Sequence, residues 1–77
     1  MEIMLDELLN EDIAWVTECD GRYYVKLSKE MSDDTVWQVD INGGKAKYIQ
    51  IVAYFMIING KNPKELDPET FKKEMLM

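Results

Sequence analysis

The chain has no histidine, one cysteine, two prolines and four glycines among its 77 residues, and each scarcity narrows the functions open to it. Without histidine, the commonest general base and nitrogen metal ligand at neutral pH is missing. The lone Cys19 cannot close an internal disulfide, and its neighbours Glu18 and Asp20 disfavour the thiolate that a nucleophile needs. A single thiol with no basic-then-apolar leader points to a reducing cytosol. The longest apolar run, Ile51 to Ile58, is less than half of the roughly 20 residues that span a bilayer, so membrane insertion is not expected. Bases are scarce as well: nine Lys and Arg stand against fifteen Asp and Glu, a net charge of −6. That is the wrong sign for a chain that binds nucleic acid directly.

What is present is the composition of a folded protein, with 47% apolar and 31% charged residues. Residues 1–77 are therefore expected to form a single small domain. A core of this size rarely supplies more than ~3–5 kcal/mol, which favours a marginal monomer or one supported by a homodimer or a partner. The acid is unevenly placed. Glu2, Asp6, Glu7, Glu11, Asp12, Glu18 and Asp20 fall in residues 1–20 with no base among them.

Met1, Met4, Leu5, Leu8 and Leu9 recur at helical spacing and predict an amphipathic helix ending near Asn10 to Asp12, with an almost wholly acidic polar face. From Ile13 to Ser28 the pattern becomes strand, turn, strand around Asp20-Gly21. A three-residue loop, Cys19-Asp20-Gly21, pairs Glu18 with Arg22 and gathers Ile13, Trp15 and Thr17 on the face of Tyr23, Val25 and Leu27. It is preferred on burial over the two-residue turn that pairs Glu18 with Tyr23. After a polar loop containing Asp33-Asp34, Thr35 to Ile41 reads as a third strand.

Lys45 to Asn59 is ambiguous between a strand that closes a second hairpin and a helix. Its length and the stripe Ile49, Val52, Ala53, Met56 and Ile57 favour the helix. Asp67-Pro68-Glu69 supplies an N-cap and an acidic first turn for a last helix with Phe71, Met75 and Leu76. The expected fold class is α+β, a three-stranded antiparallel meander with helices packed on one face, in the order α-β-β-β-α-α.

Motifs with chemistry are absent. Asn42-Gly43-Gly44-Lys45 lacks the first glycine and the Ser or Thr of a phosphate loop and reads as a turn. Asp40-Ile41-Asn42 does not continue as a calcium loop, because Gly44 and Ile51 stand where oxygen ligands belong. No catalytic residue, metal site or cofactor is expected. Trp15, Trp37, Tyr23 and Tyr48 are assigned to sheet packing. Tyr24 falls on the outer face of the preferred register and is a candidate contact residue.

The remaining functional signal is surface charge. A concentrated acidic patch can occupy a basic cleft on a nucleic-acid-handling protein, with carboxylates standing in for phosphates. Glu2, Asp6, Glu7, Glu11, Glu18 and Asp20 are the first candidates for such a contact. The alternative is a small cytosolic adaptor or regulatory subunit, monomeric or homodimeric, that buries an apolar face including Val16, Tyr24 and Ile58.

Two segments carry a resemblance. Val16 to Val25 (VTECDGRYYV) resembles the acidic Asp-Gly hairpin of the small phage-encoded anti-CRISPR proteins that inhibit type II CRISPR effector nucleases. Ile57 to Met75 (IINGKNPKELDPETFKKEM) is similar to that family's helix, Asn-Gly, acidic loop and Phe-containing final helix. The resemblance implies a DNA-mimic inhibitor in the bacterial host cytosol, whose acids fill the basic groove that reads the PAM-side duplex. By position it implicates Glu18 and Asp20 in the turn, and Glu65, Asp67 and Glu69 before and in the final helix. Arg22, Lys61 and Lys64 dilute those regions, and the densest acid lies on the first helix.

Overall fold

A computed structural model describes residues 1–27 and 35–76. Its centre is a six-stranded antiparallel sheet, built from β1 (Glu2–Met4), β2 (Ile13–Cys19), β3 (Arg22–Leu27), β4 (Thr35–Asp40), β5 (Lys45–Ile49) and β6 (Lys64–Leu66). The spatial order is β1-β5-β4-β3-β2-β6. Three short helices, α1 (Leu5–Leu9), α2 (Ile51–Ile58) and α3 (Pro68–Met75), complete the described fold. The expected three-stranded meander with helices on one face is therefore corrected: the sheet has twice the strands, and helices cover both of its faces. The Asp33-Asp34 pair lies outside the described residues.

The first difference is at the N-terminal end. Glu2–Met4 is a strand, not a first helical turn, because the outer edge of β5 offers unpaired backbone groups and Ile3 aligns with Ala46 there. The Tyr48 N–H donates to Met1 O and the Leu5 N–H to Gly44 O, at 2.9 and 2.8 Å. Only Leu5–Leu9 remains helical, with Leu8 and Leu9 buried while Met1 and Met4 are exposed.

The second difference is the hairpin register. Cys19 pairs with Arg22 and Glu18 with Tyr23 across a two-residue turn, in which Asp20 and Gly21 have φ of +54° and +79°. Positive φ at both central positions is the type I′ turn that matches strand twist. The burial criterion that favoured the other register assumed one wet face. Here both faces are covered, so Val16 is buried on one and Thr17 and Cys19 on the other. A bulge between Ile13 and Trp15 then returns Ile13 to the face of Val16.

The third difference lies in residues 45–59. Lys45–Ile49 alternates and closes a second hairpin on β4, with Asp40 opposite Lys45. The Asp40 carboxylate accepts from the Gly43 N–H at 3.1 Å, and Gly44 takes φ +64°, so Ile41, expected as the end of the third strand, joins Asn42-Gly43-Gly44 in the hairpin turn. Extended Gln50 then turns the chain into α2.

Two clusters form. On the first face, Leu8 and Leu9 of α1 and Phe71 of α3 pack on Val16, Val25, Trp37 and Val39. On the second, Tyr54 of α2 packs with Cys19, Tyr24 and Val36. α3 is capped as its sequence predicts: the Asp67 carboxylate accepts from the Thr70 N–H at 3.1 Å and the Thr70 hydroxyl at 3.0 Å. Fully buried Thr17 donates its hydroxyl to Lys64 O at 2.9 Å, which fastens the short strand β6 to the edge of β2.

Candidate functional site

α2 is apolar at all eight positions, IVAYFMII, yet only Tyr54 is buried. A helix that is apolar all round is normally enclosed, because a surface helix turns polar residues to water. Here Val52, Phe55 and Met56 are 68%, 54% and 74% exposed. The helix rests on the sheet through Ile51, Tyr54, Ile57 and Ile58, so the stripe expected to be buried is split: Ile49 and Ile57 pack on the sheet, whereas Val52 and Met56 face outward.

Aromatic packing sets that orientation. The Tyr54 ring meets Trp15 edge-on at 5.9 Å and 88°, and Tyr24 at 5.9 Å and 65°. Edge-to-face pairs of this kind are worth about 0.5–1.5 kcal/mol beyond area burial. Trp15 is held in turn, its indole N–H donating to Glu65 Oε1 at 2.9 Å. Burial, with smaller contributions from Cys19, Glu65 and Tyr24, pushes the Tyr54 hydroxyl up to about 12. Beside the ridge, an open hollow of about 620 Å³ is lined by Val52, Phe55, Met56, Ile58, Gly60 and Pro63, among others.

The rest of the second face is uncovered by α2. Arg22, Gln38, Asp40, Lys45, Lys47 and Glu2 line a second open hollow of about 510 Å³ there. The Glu2 carboxylate is 3.9 Å from Lys45 Nζ, and mixed charges make this half polar.

The acids expected to form one contact are distributed over the molecule. Asp6 and Glu7 are exposed in the first turn of α1, where Asp6 Oδ1 accepts from the Glu7 N–H at 3.0 Å. Glu11 follows that helix and is half-buried. Glu2 lies on β1, paired with Lys45. Glu18 is half-buried on β2 between Tyr23 and Lys64. Asp20 in the turn binds Lys61, and this hydrogen bond and its charge hold the lysine ammonium above its ordinary range.

Glu65 and Asp67 are engaged with Trp15 and the α3 cap, and Glu69 is exposed in the first turn of α3. Tyr24 is corrected as a contact residue: it is 1% exposed beneath Tyr54. Val16, named for the adaptor alternative, is 0% exposed in the first cluster. The outward face of α2 escaped sequence reasoning, although an uninterrupted apolar octet on a short helix was the signal. One side of such a helix must meet either solvent or a partner.

Among the described residues, no group of three or more His, Cys, Asp or Glu is placed to hold a metal ion. No described helix is long and apolar enough to cross a membrane. No protein-family model, curated protein or solved structure matches the chain.

Proposed function

We propose that the protein is a non-enzymatic binding protein of the cytosol, which acts by covering a surface of a partner chain through the outer face of α2. The observation that carries this reading is the exposure of Val52, Phe55 and Met56 on a helix whose only polar group is the hydroxyl of buried Tyr54. Contiguous exposed apolar side chains are a characteristic of interaction sites, whereas scattered ones are not, and the hollow beside these adds Asn59 and Lys61 as a polar rim. The aromatic anchor under the helix keeps the ridge in one orientation, which limits the entropy lost on docking.

The test is parallel capture from source cells with three forms of the chain: wild type, the F55E/M56E double variant and the D6K/E7K double variant. A protein captured by wild type and D6K/E7K but lost with F55E/M56E supports the reading. Capture that survives F55E/M56E overturns it.

A second reading is favoured by Asp6 and Glu7, exposed on α1 with no ion pair among the described residues. In it the chain is an antagonist that fills a basic nucleic-acid-binding cleft, as the anti-CRISPR resemblance implies. Its signature is different: D6K/E7K abolishes capture, and raising salt from about 50 to 200 mM weakens affinity steeply. Contact through the uncharged face of α2 changes little over that range.

A further inference from the structure

We infer that the outer face of α2 is the contact between two copies of this chain, packed about a two-fold axis; the inference rests on reading that face as an interaction surface. A two-fold axis sets a patch against itself, so every charge in the patch meets its own image. For a chain of net charge −6 most approaches therefore bring like charges together. α2 contains no charged residue, the one charged residue lining the adjoining hollow, Lys61, is paired with Asp20, and the acids of α1 lie over the opposite face of the sheet, where Leu8 and Leu9 pack. The second face is thus where two copies meet with least repulsion.

Shape argues the same way. Each copy carries a ridge, Phe55 and Met56, and beside it a hollow of about 620 Å³ bordered by Ile58, Gly60 and Pro63. Antiparallel α2 helices can seat the ridge of one copy in the hollow of the other, the ridge-into-groove fit of packed helices. Gly60, with nothing within 4 Å of where a Cβ would stand, leaves that hollow open. The area sets the strength. Val52, Phe55 and Met56 expose on the order of 350 Å² per copy, under half of the roughly 800 Å² per partner in a standard interface, so the dimer is weak and forms with concentration.

Sedimentation equilibrium tests this directly. Wild type should rise from 9.0 kDa at low micromolar concentration toward twice that mass as the concentration approaches about 1 mM. F55E/M56E should remain at the monomer mass with an unchanged circular dichroism spectrum. A second measurement stays decisive if the glutamates disturb folding. Met56→Cys should be joined into dimers by a short bis-maleimide and Glu69→Cys, on the other side of the molecule, should not, while buried Cys19 is shielded. Wild type that stays monomeric throughout, or equal cross-linking at both positions, overturns the proposal. If wild type is monomeric yet F55E/M56E still loses a captured protein, the second copy is refuted while α2 as an interaction surface stands.

Discussion

Two phenylalanines on two helices compare the two sides of the sheet. Phe71 on α3 is 1% exposed, in tilted contact with the Tyr23 ring at 5.6 Å. Phe55 on α2 is 54% exposed and lies beside its neighbour Tyr54 at 5.4 Å. Both are apolar side chains on eight-residue helices. The difference is in the helices: α3 is amphipathic and spends its apolar side on the core, whereas α2 has more apolar side chains than the sheet beneath it can cover. The apolar side of α3 is therefore used up on the first face, whereas the second face has apolar surface left over.

The largest effect expected is at Phe71. Phe71→Ala should lose about 3–5 kcal/mol by cavity formation, comparable with the whole stability of a domain this small. Urea unfolding followed by tryptophan fluorescence measures it, and a loss below about 1 kcal/mol would erase the contrast between the faces.

Next comes the base of the second face. Tyr54 is neutral at pH 7, and its hydroxyl is raised to about 12 from 10.0, so the folded state holds that proton more tightly than the unfolded one. Its contribution is complete below pH 10 and is lost as pH rises from 10 to 12, by about 2–3 kcal/mol. Tyr54→Phe should remove that part of the alkaline decline, as tested by unfolding at a series of pH values. An identical decline in the variant would show that Tyr54 is not responsible.

Asp67→Ala should cost about 1 kcal/mol, because the first-turn N–H of Thr70 loses its acceptor. Asp67→Asn should recover most of the loss, and equal losses in both variants would point to charge in place of capping. Smallest of all, Met56→Glu, at a position 74% exposed, should change stability by only about 0.5 kcal/mol while weakening protein contact. A large destabilisation there would mean that the outer face of α2 belongs to the core after all.

How much of this was legible in the sequence follows the range of the interactions. The α3 cap was readable because Asp67, Pro68 and Thr70 act within one turn. The third strand was readable because Trp37 and Val39 alternate with Gln38 and Asp40. β1 was not, since Glu2–Met4 is a strand only because the edge of β5, more than forty residues away, accepts it. The hairpin register failed on a single assumption, that one face of the sheet is wet. With α2 on the far side, Thr17, Cys19 and Tyr24 are buried as fully as Val16 and Val25. The orientation of α2 could not be read from periodicity, because eight apolar residues have no polar face to set a phase. The Tyr54, Trp15 and Tyr24 rings set it instead. The acidic residues were conspicuous in the chain, but antiparallel pairing and turns scatter them, and Glu2, Asp20, Glu65 and Asp67 are taken up by contacts within the molecule.

The most direct test of recognition by the second face is photo-cross-linking in living cells, with benzoylphenylalanine placed at position 55 in one chain and at position 69 in another. The expected result is a discrete adduct at 55, of dimer mass or with one defined protein, and none at 69. Adducts of equal yield at both positions, or at 69 alone, would contradict it.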